Sequence, residues 1–463
     1  MLLDSLHCHK HRFAKRGSAS LEPQVEAEDS PQNSRFSIPP ALKYPAYRSY
    51  WFGTLASVVG FQMLQASQFW LVHTLEDSPL FLGYVGLANA APAILLNLFG
   101  GVFADRLDNR RLIMVTQTLL ASLIFLLATL TLSGIIEVWQ VLAIAFVAGA
   151  VNAFDQPSRQ ALYPHLIDRS VMMSAVALNS SIWQGTRIVA PAIAGLIIAS
   201  AGIATSFYVA GSGFAIMVVV MFTLKVPPFK RSASKGTGRD MLEGVKFIKD
   251  NSIFSSLIAL TFFNSFFGMA YVILMPVFAE EILGRGATAY GLLLSVSGAS
   301  SLMTTVYMGT RTGMNGKVSV LIGGAVLSGL FIAAFALTTD WFKSFYLAMS
   351  LMFIIGIFNS MYRISIMSSL QMLVPDQMRG RVMGFYGMTY SLMPIGGMQA
   401  SLVAIVVGTP IAIAIGGLAV SSFAVGLVVA NPKIRGLGQL LRESEQRNFS
   451  RQKEAQTAPA TGN

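Results

Sequence analysis

The sequence predicts an all-α membrane protein with twelve transmembrane helices arranged as two pseudo-symmetric six-helix halves. Three observations carry that expectation. Of the 463 residues, 54% are apolar and only 12% charged, about half the charge of ordinary soluble domains. The charges are also clustered: residues 1–48 hold 12 of the 55, residues 225–250 hold 10 and residues 431–463 hold 9, leaving 24 in the other 356. So little charge could not cover a soluble protein of this size, which excludes a soluble multi-domain enzyme, a disordered chain and a collagen. Second, twelve apolar runs are long enough to cross a bilayer, which takes about 20 residues each. Third, counting twelve spans puts nearly all basic residues on one side.

In chain order, residues 1–48 form a polar tail, read as disordered. It holds the sole cysteine, Cys8, so no intramolecular disulfide is possible. The tract His7-Cys8-His9-Lys10-His11 resembles a metal-binding run, but its place in a polar tail argues against a site, and no metal is expected. Met1 to Phe13 lack the apolar stretch of a signal peptide, so targeting is expected from the first span. The spans fall at 49–73, 80–104, 112–132, 138–155, 174–200, 203–224, 253–279, 288–310, 318–338, 342–362, 382–405 and 410–430. Asp77-Ser78-Pro79 and Gly408-Thr409-Pro410 mark turns between neighbours, and Ala201-Gly202 is the thinnest separation. The domains are therefore an N-terminal half, 49–224, a linker, 225–252, a C-terminal half, 253–430, and a polar tail, 431–463. Within the linker, Asp240 to Ile248 reads as a short amphipathic helix with Met241, Val245 and Ile248 on one face, an interfacial connector.

With both termini inside, 30 of 33 Lys and Arg fall in inner segments, against Arg285 and Lys343 outside and Arg187 within span five. The positive-inside rule then places both termini on the cytoplasmic side. This sidedness accounts for the net charge of +11 without nucleic acid as a partner. Trp51, Trp139 and Trp341 sit at span ends, where amphipathic indoles prefer the interface.

The halves are related by a weak repeat. Arg106 and Arg311 lie 205 apart, Asn152 and Asn359 207, Pro164 and Pro375 211, and Pro191 and Pro394 203. Parallel six-span repeats with a midplane site between them are a transporter architecture.

The turn between spans two and three reads Gly100-Gly101-Val102-Phe103-Ala104-Asp105-Arg106-Leu107-Asp108-Asn109-Arg110-Arg111. Inside anchoring explains Arg110 and Arg111 but neither Asp105 nor Asp108, which oppose that rule. Carboxylates and guanidinium groups this close can exchange charge-assisted hydrogen bonds with neighbouring helix ends. The segment resembles the G-x-x-x-D-R-x-G-R-R loop of the major facilitator superfamily, with Asp108 at the second Gly. The resemblance extends through Ser57, Gly60, Gln65, Trp70, Ser78-Pro79, Leu82-Gly83, Pro92 and Asp155-Gln156-Pro157-Ser158-Arg159-Gln160-Ala161. Within the superfamily it is closest to the transmembrane secretion effector branch, which includes enterobactin exporters; Asn109 departs from the usual Arg. The resemblance implies a major facilitator fold and a conformational switch made of Asp105, Arg106, Arg110, Arg111, Asp155 and Arg159. It further implies a bacterial inner (plasma) membrane, and Asp105 against the start of span eleven near Arg379–Arg381 with Arg110 paired with Asp155, contacts that would latch the outward-facing state and break when the halves rock.

Span five contains Gly185-Thr186-Arg187-Ile188-Val189-Ala190-Pro191-Ala192-Ile193-Ala194-Gly195. Small residues around a Pro permit a kink and close helix approach. Gly185, Pro191 and Gly195 resemble the superfamily's G-P-x-x-G-G motif of exporters, with Ala190 and Ala194 in place of two Gly. Arg187 lies mid-span, where a charge is costly and faces a cavity or a partner; a substrate anion or a gating contact would satisfy it. Gln62 and Gln65, with Trp183, Asn264, Asn359, Tyr386 and Tyr390, would line a partly polar, aromatic cavity for a bulky amphipathic compound.

Met378, Met383, Met388, Met393 and Met398 recur every five residues, which winds around a helix rather than forming a metal-binding stripe. No phosphate-binding Gly loop ending in Lys-Ser/Thr occurs. The expectation is a monomeric secondary transporter without cofactor or enzymatic activity, exporting a siderophore or drug-like compound, with protons as coupling partner. Uptake by the same fold, or a non-transporting sensor or scaffold, are the alternatives.

Overall fold

The computed structural model describes residues 39–224, 237–310, 318–436 and 438–439; of residues 97–102, 104–106, 237–242, 244, 376, 377, 379 and 433 it describes the backbone alone. The N-terminal His tract, most of the linker, Arg311 and the end of the C-terminal tail lie outside the described residues, as do the side chains of Asp105, Arg106 and Arg379.

The described residues contain twelve helices long and apolar enough to cross a membrane. They are α1 (Pro45–Leu75), α2 (Pro79–Arg106), α3 (Asn109–Leu132), α4 (Val138–Leu162), α5 (Met172–Ala201) and α6 (Ile203–Thr223) in the first half. The second half has α7 (Ser252–Ile273), α8 (Gly286–Thr310), α9 (Val318–Phe342), α10 (Phe345–Leu373), α11 (Gly380–Val407) and α12 (Thr409–Ala430). Local chemistry sets the boundaries. Ser78 caps α2 with Pro79 at the first turn, Asp108 caps α3 through the amides of Arg110 and Arg111, and Glu137 and Gln140 form a capping box on α4. The narrow break between α5 and α6 is a single residue, Gly202, at φ 87°. Gly408 repeats it between α11 and α12 at φ 86°. A side chain at either position would be strained.

Within each half the same pairs pack: α2 on α4, α3 on α6 and α3 on α4, matched by α8 on α10, α9 on α12 and α9 on α10. The halves meet along α5–α8 and α2–α11. Gly195 and Gly291 let α5 and α8 approach until backbone touches backbone; a Cβ on Gly195 would collide with the Ala287 carbonyl oxygen, and one on Gly291 with that of Pro191. Gly83 serves α2–α11, facing Met398 and Ser401.

With twelve crossings, the start of α1 and the end of α12 lie on one face of the bundle, here the terminal face; the opposite is the far face. The apolar core divides unequally between them. One buried cluster runs through both halves toward the far face, from Met63–Val72 of α1 to Ala270–Leu283 beyond α7. Toward the terminal face are two separate clusters, one around Phe254, Leu321 and Tyr362 of the second half, the other around Tyr47, Ile113 and Met217 of the first. The halves are sealed at the far face and part toward the terminal face.

Helices extend beyond the apolar runs. The sequence ends span four at 155 and span ten at 362, whereas α4 continues to Leu162 and α10 to Leu373. Arg159 and Arg363, expected in loops on the terminal face, lie inside helices, and Asp155 lies inside α4 rather than at its end. The linker helix covers Thr237–Asp250, longer than Asp240–Ile248.

Candidate functional site

A cavity of about 500 Å³ lies between the halves. Its N-terminal wall includes Gln62, Gln65 and Phe69 of α1 and Trp183, Arg187 and Pro191 of α5; its C-terminal wall includes Tyr271, Tyr290, Ser297, Arg363, Tyr386 and Tyr390. Three α5 positions and their partners 203 residues on occupy matching places: Trp183 with Tyr386, Arg187 with Tyr390, and Pro191 with Pro394. Four of these six line the cavity together with Pro191 itself. Each Pro lacks the amide that would bond the carbonyl four residues back, at Arg187 and at Tyr390. The outcomes differ: α5 runs unbroken through Pro191, whereas α11 is interrupted at Ser391-Leu392 before Pro394.

The cavity's charged groups are two and both cationic, Arg187 and Arg363, among the described residues. Arg363 places its guanidinium carbon 4.9 Å from the Tyr390 ring centroid, and the Tyr390 and Tyr386 hydroxyls are 2.9 Å apart. Arg187 is exposed to the cavity. No lining residue is acidic among the described residues, and no group of His, Cys, Asp and Glu there could hold a metal ion.

Below the cavity, toward the terminal face, a buried network ties three helices of the first half. Arg159 donates from Nε to Asp155 and from Nη2 to the Ser57 hydroxyl at 2.8 Å. Ser57 donates to Gln117 at 2.9 Å, and Gln117 and Thr116 donate to Asp155 at 2.9 and 2.7 Å. Asp155 is 2% and Arg159 7% exposed, so the charges survive only because the pair and its hydrogen bonds replace water. The spacing of four residues on α4 aligns them.

In this conformation, open toward the terminal face, Arg110 does not meet Asp155; its Nε and Nη2 donate to the Met221 and Phe222 carbonyls at 2.7 and 2.9 Å, capping the end of α6, where the helix dipole favours a cation. Arg111 makes an exposed 3.6 Å contact with Asp108. Asp105, Arg106 and the start of α11 near Arg379 cannot be compared, because those side chains lie outside the described residues; Arg381 pairs with Glu243 of the linker helix at 2.7 Å.

Gln62, Gln65, Trp183, Arg187, Tyr386 and Tyr390 come together as cavity lining. Asn264 and Asn359 do not. Asn264 is 2% exposed in a π-helical turn, Asn264–Gly268, and Asn359 reaches the Met269 sulfur at 3.9 Å. Gly195 packs the α5–α8 seam, while a Cβ at Gly185 would meet open space. Sequence reasoning missed Arg363, Tyr271 and the roles of Thr116 and Gln117. The apolar residues Ile364, Ile366 and Leu370 after Arg363 were the available signal that the span continues.

At the far face, Trp70 of α1 stacks on Tyr290 of α8, ring centroids 5.6 Å apart, and buried His73 lies 3.9 Å from Glu281 across the halves. Burial, with Asp77 nearby, holds the Glu281 carboxyl above its ordinary range.

Comparison with known proteins agrees with this geometry. The profile of the transmembrane secretion effector family matches residues 37–462. The staphyloferrin A transporter of Staphylococcus aureus is 25% identical, covering 73% of this chain and 84% of its own. Macrolide efflux protein A of Streptococcus pyogenes is 20% identical over 77% of this chain and 89% of its own. Among solved structures, an inward-facing, unoccupied bacterial homologue of the human lysosomal transporter Spinster superposes with a TM-score of 0.68 at 14% identity, covering 88% of this chain and 99% of that one.

Proposed function

The chain belongs to the transmembrane secretion effector family of the major facilitator superfamily, and from that premise we propose that it exports a small amphipathic organic compound, a siderophore or drug-like molecule, by alternating access. The observation that carries this reading is the cavity: closed at the far face, flanked by separate cores toward the terminal face, and lined by aromatic rings with a few polar groups. Such a lining suits an amphipathic ligand. Basic residues concentrated on the terminal face support cytoplasmic termini, so this conformation takes its cargo from the cytoplasm. The relatives named for staphyloferrin A and for macrolide efflux support the same class of cargo.

Transport then follows from the packing. Separating the α5–α8 and α2–α11 seams at the far face, while the terminal-face ends close, exposes the cavity to the other side. The Asp155–Arg159 network keeps the first half rigid during this movement, and Asp105 and Arg106, at the end of α2, are proposed to act with it as the switch. Protons are the proposed counter-ion, with His73 and Glu281 placed at the seal that must open.

The test is a transport screen in everted membrane vesicles, with and without an imposed pH gradient, across siderophores, macrolides and aromatic drug-like compounds. Gradient-dependent accumulation of a compound supports export. Accumulation only in right-side-out vesicles, or no movement of any compound by folded protein, overturns it.

A further inference from the structure

The cavity places one guanidinium on each half: Arg187 on α5 and Arg363 on α10. Both line the same cavity of about 500 Å³. Arg187 lies mid-helix in α5, and Arg363 ten residues before the end of α10. Arg363 lies over the Tyr390 ring, a contact that leaves its cationic charge in place. Arg187 makes no hydrogen bond or ion pair among the described residues and is exposed to the cavity. No carboxylate lines the cavity among the described residues. Two like charges facing one apolar-walled space concentrate a positive potential there.

We propose that the cargo is an organic anion carrying two or more anionic groups, bridged between Arg187 of the first half and Arg363 of the second. The inference rests on the transport reading and deepens it by assigning the substrate class. Trp183, Tyr386 and Tyr390 would flank the apolar body of such a ligand. A monoanion satisfies one guanidinium and leaves the other opposed to nothing. A dianion satisfies both, each by charge-assisted, bidentate hydrogen bonds.

The placement on opposite halves gives this arrangement a mechanical consequence. Closing the terminal-face opening draws the two arginines together, so repulsion holds the empty cavity open. A bridging dianion replaces that repulsion with attraction. Its affinity is therefore greater for the closed cavity than for the open one, and a ligand shifts a conformational equilibrium only through such a difference. Occlusion then depends on cargo.

The experiment uses the full chain in lipid nanodiscs and isothermal titration with three probes sharing one aromatic body: naphthalene dicarboxylate, naphthoate and the dimethyl ester of the dicarboxylate. The dianion should bind at least about tenfold more tightly than the monoanion, as one additional charge-assisted contact implies, with the ester weakest. Arg187→Gln and Arg363→Gln should each reduce the dianion to the affinity of the monoanion, while Arg363→Lys retains part of the preference. Equal binding of dianion and monoanion by the wild-type chain overturns the proposal without any variant, as does tightest binding of the ester. If those results coincide with vesicle accumulation of a neutral or cationic compound, the dianion assignment falls and export stands. If the dianion binds but no compound moves, the assignment stands and export falls.

Discussion

The two halves share a topology but not a mechanical character. In the first, α1 and α5 are continuous, and a buried ion pair with three further hydrogen-bonding side chains joins α1, α3 and α4. In the second, α7 gives way to a π-helical turn at Asn264–Gly268 and another follows at Phe278–Ile282. Helix α11 breaks at Ser391-Leu392. Asn264 and Ser265 bury polar atoms without a partner among the described residues. π-Helical turns insert a residue into the helical ladder and mark functional sites. The first half is thus built to rotate as a block and the second to bend. Buried polar atoms without a partner among the described residues occur in both halves, so the contrast rests on the interrupted helices of the second.

The largest expected effect comes from breaking the block. Asp155→Ala leaves Arg159 charged, buried and unpaired, which costs about 3–5 kcal/mol. Thermal unfolding in detergent should show a corresponding loss of stability, and transport should fall with it. Asp155→Leu combined with Arg159→Met removes both charges and should be less damaging than Asp155→Ala. If the double variant is the worse of the two, the network does not act as a unit. In the second half, Asn264→Leu should cost far less than Asp155→Ala, because the amide nitrogen it removes has no partner among the described residues to lose.

Next in size is the far-face seal. Gly195→Ala directs a methyl group into the Ala287 backbone, which cannot swing aside. Overpacking of this kind costs about 1–3 kcal/mol. Gly83→Ala meets the Met398 sulfur and Ser401 hydroxyl at 2.9 Å, which can rotate away, and backbone only at the Met398 Cα, 3.0 Å off against 2.4 Å for Gly195, so it should cost less. A cysteine at Ser401, buried in the α2–α11 seam, in a Cys8→Ser background, reports opening by its labelling with an impermeant maleimide. Gly195→Ala should raise the labelling rate several-fold. An unchanged rate would show that α5–α8 contact does not govern the seal.

The contrast between halves also separates what a sequence discloses from what it conceals. Span number and the clustering of basic residues follow from local composition, and twelve runs became twelve helices. The cavity was half legible: Gln62, Gln65, Trp183 and Arg187 share faces of α1 and α5 that helical periodicity locates. Arg363 escaped because an arginine lowers the hydropathy of the run that contains it, so the span seemed to end one residue earlier. The resemblance supplied Arg110 as a partner for Asp155 in the outward-facing state; the pairing of Asp155 with Arg159 seen in this conformation was legible from their spacing of four residues on one helix. The π-helical turns of α7 leave little trace in the chain beyond Gly268, and turned Asn264 and Asn359 from expected lining into packing. Tertiary packing settles those orientations, and periodicity alone does not contain it.

The smallest effect concerns pH at the far face, where the halves touch through charge. Glu281 is half-exposed, with its carboxyl held above the ordinary glutamate range by burial and by Asp77. A carboxyl raised in this way favours the closed arrangement while it is protonated and opposes it once ionised. Its contribution is therefore present at acid pH and lost as pH rises through the raised value. The His73 contact at 3.9 Å acts in the other direction when both groups are charged, and exposure screens each of these terms. Acidification from neutral pH should accordingly slow maleimide labelling of the Ser401 cysteine by a modest factor beyond the loss of thiolate seen in the unfolded protein, and Glu281→Gln should remove most of that excess. Labelling that instead quickens on acidification, and does so equally in the Glu281→Gln variant, would place the pH response elsewhere than at this contact.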